Sequence, residues 1–219
     1  QEEKRQQHLA NVDRLDGVEP QSRYYRLRAL GAWTPQESRD ACGLPADSTA
    51  TFDEFRTRPD LPRLAEARDA VLAWVAGKAV FVTLSGPPGC GKTHLLVAAV
   101  NALVDKARFV RYMDERDMID QSRRAIRDHA VEEFKYDLAN VPMLVLDDLG
   151  ASSASDYDRA VLDEVIDERW KARRSLLVAT NLTSAQLPAR LVSRLGDAKW
   201  GRQVSIAAPD GRRNLWWEK

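Results

Sequence analysis

The sequence has no net charge, little cysteine and no long apolar run. Its 33 lysine and arginine residues balance 33 aspartate and glutamate residues, so no overall charge indicates a nucleic-acid partner, and any such surface must be a local patch. Its two cysteines, Cys42 and Cys90, form no metal-ligand cluster with the three histidines. Apolar runs such as Ala79–Leu84 are far too short to span a bilayer, so no membrane anchor is expected.

The chain opens with the polar stretch Gln-Glu-Glu-Lys-Arg rather than with the apolar core of a signal peptide. We therefore expect a cytoplasmic protein with free thiols. Hydrophobic residues make up 44% and charged residues 30% of the 219 residues. This composition and length suit one α/β domain with a full core and a small extension.

The first 50 residues differ from the rest, because they are polar, rich in arginine and glutamine, and carry apolar residues in short clusters. Thr34–Glu37 has the pattern of a capping box with proline at the first helical position, and Cys42–Pro45 predicts the end of that helix. We expect a helical extension over residues 1–50 that docks a partner, ahead of a main domain over residues 51–219. The first half of a helix-turn-helix is an alternative interpretation.

After residue 50, apolar runs alternate with helical patterns. The candidate strands are Ala79–Leu84, Arg108–Tyr112, Pro142–Leu146, Ser175–Ala179 and Gln203–Ala207. Helices are predicted over residues 62–76, 92–106, 114–134, 156–172 and 184–195. Strands separated by helices predict an α/β fold with a parallel, doubly wound sheet, which binds its ligand at the carboxyl ends of the strands.

The most specific motif follows the first candidate strand. Residues 86–93 read Gly-Pro-Pro-Gly-Cys-Gly-Lys-Thr, which matches G-x-x-x-x-G-K-[ST] without a gap. The glycines let backbone N–H groups face phosphates, Lys92 would neutralise the β- and γ-phosphates, and the Thr93 hydroxyl would bind Mg²⁺. A chance match in a glycine-rich turn is disfavoured by the apolar strand before it and the helix after it. The predicted ATP-binding residues are Gly86, Pro87, Pro88, Gly89, Cys90, Gly91, Lys92, Thr93 and His94.

Polar side chains also follow the third and fourth candidate strands. Asp147 and Asp148 end a run of four apolar residues, and Asn181 follows Ala179-Thr180. Asp147 is suited to hold Mg²⁺, Asp148 to orient or deprotonate an attacking water, and Asn181 to position that water. An Asp-Asp turn and a helix-capping asparagine are the alternative interpretations.

The last 30 residues carry seven basic side chains against three acidic ones, Arg190, Arg194 and Arg202 among the basic ones. An exposed arginine there could complete the active site of a neighbouring subunit as an arginine finger. A solvated basic edge is the competing interpretation, which is weakest for Arg194.

In this order the motifs resemble the AAA+ ATPases of the DnaC/IstB type, which are replicative helicase loaders and transposition helper ATPases. The resemblance covers about residues 51–207 and is carried by GPPGCGKTH, MLVLDDLG, ATN and Val192–Leu195. It implies an AAA+ P-loop ATPase over residues 51–219, with no evident C-terminal lid domain. It also implies that Asp147 and Asp148 are the Walker B pair, that Asn181 is sensor 1, and that Arg194 reaches into the adjacent subunit. Asp148 departs from the glutamate of most AAA+ proteins.

The resemblance implies a role as well. ATP binding would assemble a homo-oligomer, residues 1–50 would grip a replicative helicase, and hydrolysis would release it. The stretch Asp114–His129, with Arg123, Arg124 and Arg127, takes the place of a helical insertion that contacts single-stranded DNA. Residues 114–137 hold eight acids and five bases, so a solvated mixed-charge face is the alternative. A transposase helper uses the same core, and a P-loop small-molecule kinase is the alternative from another class.

Overall fold

The computed structural model describes residues 34–150, 154–197 and 199–211. The helices are α1 (Pro35–Ala41), α2 (Pro62–Val75), α3 (Lys92–Val104), α4 (Glu115–Arg127), α5 (Val131–Asn140), α6 (Asp156–Lys171) and α7 (Ala189–Leu195). The strands are β1 (Phe81–Ser85), β2 (Val110–Asp114), β3 (Met143–Leu149), β4 (Ser175–Thr180) and β5 (Gly201–Ser205). None of the described helices is long and apolar enough to cross a bilayer.

The strands form one parallel sheet in the order β2-β3-β4-β1-β5. Alternate residues of each inner strand enter opposite core clusters, so that Val145 packs with α2 and α3 while Leu144 and Leu146 pack with α4, α5 and α6. A strand covered on both faces needs an apolar run rather than an alternating one. The predicted parallel sheet with helices on both faces is confirmed.

The predicted helix over residues 114–134 is two helices. The chain turns at His129, whose φ is 57°, and the Ala130 N–H donates to the Ala125 carbonyl at 2.8 Å, which is the bond of a Schellman helix end. The turn lets Phe134 and Leu138 of α5 reach the core. Strand β3 also extends three residues past its predicted end, because a bulge between Leu146 and Leu149 carries the two aspartates within the strand.

Trp74 rather than Leu72 faces the core from α2. Leu72 is 39% exposed, whereas Trp74 is fully buried. Leu64, Val71 and Trp74 lie on one helical face at spacings of seven and three residues. The indole buries more apolar area than the leucine would, which sets the rotation of the helix.

Helix α1 begins with the predicted capping box: the Thr34 hydroxyl accepts from the Glu37 N–H, and the Glu37 carboxylate accepts from the Thr34 N–H at 2.7 Å. The helix packs against α3, and Cys42 joins the core beside α2 and α3 with no exposed surface. Residues 1–33 of the predicted extension lie outside the described residues. Its boundary at residue 51 stays a prediction.

Arg169 of α6 is a fully buried cation. Its guanidinium donates to the backbone carbonyls of Leu138, Ala139, Val141, Pro142 and Ser175. These oxygens belong to the end of α5, the start of β3 and the start of β4. One side chain therefore connects three elements at the amino-terminal ends of β3 and β4. Asp147 and Asn181 lie at the opposite, carboxyl ends of these strands.

Candidate nucleotide site

The predicted phosphate loop connects β1 to α3. Gly91 caps α3 with a φ of 97°, in the left-handed region that favours glycine. A β-carbon on Gly91 would also lie 2.7 Å from the Phe55 ring, so this position requires glycine for space as well as for conformation. The loop thus leads into a helix whose first backbone N–H groups are free to bind an anion.

Lys92 lies at the centre of this loop and is buried. Its ammonium donates to the Gly86 carbonyl at 2.8 Å, the Pro87 carbonyl at 2.9 Å and Asn181 Oδ1 at 2.8 Å. The last bond joins the phosphate loop, which follows β1, to Asn181 at the end of β4, which lies 89 residues further along the chain. The structure therefore brings together two residues that the sequence placed at the ends of different strands.

Asp147 is held rigidly at the end of β3. Only 2% of its surface is exposed, Oδ1 accepts from the Asp148 N–H at 2.8 Å, and Oδ2 accepts from the Tyr112 hydroxyl at 2.9 Å. Burial raises the pKa of the Asp147 carboxyl, and hydrogen bonds from the Thr93 side chain, the Asp148 N–H and Tyr112 oppose that rise. Burial, followed by the nearby Asp147 charge, raises the pKa of Tyr112, so the phenol remains a donor.

Asp148 is exposed, in contrast to Asp147. Its φ of 50° is uncommon for a residue with a side chain, and such backbone conformations cluster at functional sites. Asn181 Nδ2 donates to Asp148 Oδ1 at 3.4 Å. One carboxylate is thus buried and oriented, while its neighbour is solvent-accessible and next to the amide of Asn181.

Lys92, Asp148 and Asn181 border a cavity of about 590 Å³, a size usual for a ligand site. Its lining residues are Glu54, Phe55, Arg56, Pro88, Gly89, Cys90, Gly91, Lys92, Thr93, His94, Asp148 and Asn181. Polar groups from the ends of β3 and β4 and from the phosphate loop converge on one space, as expected for the carboxyl edge of a parallel sheet.

Comparison with known proteins identifies the family. The model of the IstB-like ATP-binding proteins matches residues 35–201, which is well over half of the chain. The chain belongs to this family. The chain is therefore an AAA+ ATPase domain that binds ATP, and the predicted P-loop fold class is confirmed.

Individual relatives include both a helicase loader and an insertion sequence protein. The chain is 27% identical over 157 residues to the replicative helicase loader DnaC of Escherichia coli strain K12, covering 70% of this chain and 64% of DnaC. It is 30% identical over 125 residues to a putative insertion sequence ATP-binding protein of Sinorhizobium fredii, covering 55% and 41%. The crystal structure of the DnaC helicase loader superimposes with a TM-score of 0.59 at 27% identity, covering 72% of this chain and 96% of that one. The chain thus spans less than two thirds of the length of the Escherichia coli and Sinorhizobium fredii proteins.

The donor chemistry of Thr93 and Asp147 fits Mg²⁺ in this IstB-like domain. A side-chain hydrogen bond joins the two residues, and hydroxyl and carboxylate oxygens are the ligands that Mg²⁺ takes beside water and phosphate. Because burial disfavours the Asp147 charge, a divalent cation beside it would restore the ionised form. The two residues would hold the ion next to Lys92.

His94 lines the cavity, but its Nε2 lies 2.8 Å from the Thr51 carbonyl oxygen and its ring centroid is 5.6 Å from that of Phe55. The segment that begins at Thr51 is a turn, closed by hydrogen bonds between Thr51 and Glu54. His94 therefore anchors this wall of the cavity, and its contact with ATP stays a prediction.

Arg194 is not among the residues that line the cavity. Its Nε donates to Asp167 Oδ1 at 2.9 Å, and its guanidinium lies 4.1 Å from the centroid of the Trp170 ring. Asp167 also pairs with Lys171 at 3.0 Å and Arg190 at 3.1 Å. Hydrogen bonds from Lys171 and then Arg194 lower the pKa of Asp167 to about 2. The finger role of Arg194 stays a prediction.

Sequence reasoning missed the cavity residues Glu54, Phe55 and Arg56 and the bond from Tyr112 to Asp147. The family resemblance covers these three cavity residues, because it begins at about residue 51, but it assigns them no role. Tyr112 gave no signal, since a tyrosine in a half-buried strand is ordinary.

Proposed function

We propose that this chain binds and hydrolyses ATP with Mg²⁺ and acts as a DnaC-like replicative helicase loader in DNA replication. The observation that supports hydrolysis best is the convergence of Lys92, Asp148 and Asn181 on one cavity. A lone phosphate loop would bind a nucleotide, whereas an exposed carboxylate paired with an amide beside that loop can also act on a water molecule.

Each residue has a chemical task in this proposal. The loop N–H groups and Lys92 bind the β- and γ-phosphates, for which the Lys92 ammonium must exchange its bonds to the Gly86 and Pro87 carbonyls for phosphate oxygens. Asp148 accepts a proton from the attacking water, and Asn181 holds that water in line. Mg²⁺ on Thr93 and Asp147 would neutralise charge on the phosphates.

The proposal places Arg194 in the active site of an adjacent subunit. Its position on α7, away from its own cavity, supports action on a neighbour rather than on the same chain. A guanidinium that reaches the γ-phosphate across an interface stabilises charge that develops in the transition state. ATP binding would then assemble a homo-oligomer, and turnover would require that assembly.

The partner is proposed to be a replicative helicase, bound through residues 1–50. The similarity to the helicase loader DnaC supports this choice. Single-stranded DNA is proposed as a second ligand of α4. Arg123, Arg124 and Arg127 are all exposed there, and Arg123 also pairs with the buried Asp158 at 2.9 Å.

The second candidate is an ATPase that assists a transposase, which the match to the IstB-like family and to an insertion sequence protein favours. Capture experiments separate the two functions. Wild-type protein, with Lys92→Ala as a control that lacks phosphate binding, is offered the hexameric helicase and a transposase of the same genome. ATP-dependent retention of the helicase supports the loader, and retention of the transposase alone would reject it.

A further inference from the structure

Tyr112 contacts both the Asp147 carboxylate and the segment that follows α1. Its hydroxyl donates to Asp147 Oδ2 at 2.9 Å, and its backbone N–H donates to the Cys42 carbonyl at 2.6 Å. It lies on β2, an edge strand of the sheet that the described residues form, and among those residues its outward N–H faces no further strand. The segment that follows α1 supplies that acceptor instead.

This docking contact has strict local geometry. Gly43 has a φ of 85°, and a β-carbon there would collide with the Tyr112 carbonyl oxygen. The Ser38 hydroxyl donates to the Arg108 carbonyl at 2.7 Å, just before the same strand. Cys42 is also fully buried, so the segment after α1 is packed as well as hydrogen-bonded against β2.

The Tyr112 side chain links the docked segment to the orientation of the Asp147 carboxylate. A tyrosine side chain has two rotatable bonds before its rigid ring. The hydroxyl reaches Asp147 from the neighbouring strand β2, in which Tyr112 pairs with Val145 and Asp114 pairs with Asp147. Asp147 Oδ1 accepts from the Asp148 N–H, and a hydrogen bond joins the carboxylate to the Thr93 side chain, so the Tyr112 bond adds a further constraint on the rotation of the carboxylate. Such outer hydrogen bonds set the affinity of metal ligands.

We propose that Tyr112 is a positioning residue that sets the Mg²⁺ affinity of Asp147, and that it makes this affinity depend on the docking of Cys42 and Gly43 against β2. The inference rests on the proposed role of Asp147 in binding Mg²⁺. The docked segment holds the carboxylate in its binding orientation, and undocking weakens Mg²⁺ binding. A partner that binds the N-terminal extension and pulls on α1 would thereby control nucleotide retention.

The first test is Tyr112→Phe, which removes one hydroxyl and keeps the ring. Binding of a fluorescent ATP analogue is titrated with Mg²⁺ and repeated in EDTA. We expect the half-saturating Mg²⁺ concentration to rise about 10-fold, with the affinity in EDTA unchanged. An unchanged Mg²⁺ requirement, or an equal loss of affinity in EDTA, would overturn the positioning role.

The second test is Gly43→Ala, with Gly77→Ala as its matched control. Both glycines have left-handed backbones, with φ of 85° and 73°, but a β-carbon on Gly77 meets nothing within 4 Å. We expect Gly43→Ala to raise the half-saturating Mg²⁺ concentration as Tyr112→Phe does. The double variant that combines the two changes should show no further rise, and Gly77→Ala should have the Mg²⁺ requirement of wild type. Additive effects in the double variant would overturn the coupling.

A milder variant, Ser38→Ala, keeps the coupling testable if Gly43→Ala does not fold. It removes the Ser38 bond to Arg108, and we expect a smaller rise in the Mg²⁺ requirement, absent in the Tyr112→Phe background. A wild-type chain that binds nucleotide equally with and without Mg²⁺ would overturn the proposed metal site and this inference together. A Mg²⁺-dependent wild type with an unaffected Tyr112→Phe variant overturns the inference alone.

Discussion

Replacing Asp148 by asparagine removes one negative charge from the cavity and leaves its shape unchanged. The backbone φ of 50° is tolerated by asparagine better than by most residues, so the variant avoids the strain that alanine would add. The new side chain keeps an oxygen where Asp148 Oδ1 now accepts from Asn181 at 3.4 Å. The change therefore isolates the carboxylate as a base.

The expected effect is large on turnover and small on binding. General-base catalysis contributes about 100- to 10,000-fold, so phosphate release from ATP should fall by that factor. Nucleotide affinity should stay the same or rise, because a carboxylate beside the triphosphate repels it. Phosphate release is measured with saturating Mg²⁺ and ATP, and binding with a fluorescent analogue.

The control is Asp47→Asn, which changes an exposed aspartate that does not line the cavity. It should match wild type in both assays. Wild-type turnover in the Asp148→Asn variant would refute Asp148 as the catalytic base. Loss of nucleotide binding together with turnover would instead show that the carboxylate belongs to the binding site.

Three further predictions follow from individual side chains. Arg169→Met leaves five carbonyls without their donor and should lower the free energy of unfolding by about 3 kcal/mol. The control Arg174→Met loses one partly exposed hydrogen bond to Ala139 and should lower it by less than about 1 kcal/mol. Urea unfolding of both variants tests this, and equal unfolding midpoints would contradict it. Burial raises the pKa of Asp137 to about 6, so the protonated acid favours the fold and stability is lost as the pH rises through about 6. Asp137→Asn should accordingly gain melting temperature over wild type at pH 7.5 but not at pH 4.5, and a gain independent of pH would reject the assignment. Arg194→Ala should bind ATP normally but lose turnover that assembly stimulates, and normal stimulated turnover would remove the finger role.

The core of the fold could be predicted from the sequence because its signals are local. The apolar run before the phosphate loop and the run before Asp147 each predict a strand buried on both faces, and both are present. The ends of these elements were less predictable, since β3 continues through Asp148 by means of a bulge that no local pattern specifies. The break at His129 depends equally on the fit of Phe134 into the core.

In the candidate site, too, the residues that belong to local motifs could be predicted and the others could not. Lys92, Thr93 and Asp147 belong to short contiguous motifs, and the parallel sheet brings the ends of their strands together by necessity. Tyr112 and Asp167 were not predicted, because each acts on a residue that is 35 or 27 positions away in the chain. Such contacts depend on strand register and helix packing rather than on spacing in the sequence.

The central claim is that each active site is shared, with Asp148 from one subunit and Arg194 from its neighbour. Mixing the two inactive variants, Asp148→Asn and Arg194→Ala, tests it most directly. In an equimolar mixture about a quarter of the interfaces would pair an intact Asp148 with an intact Arg194, so the account predicts that the mixture regains a corresponding share of wild-type ATP turnover. A mixture as inactive as its two components, under conditions where wild-type subunits assemble, would contradict the account.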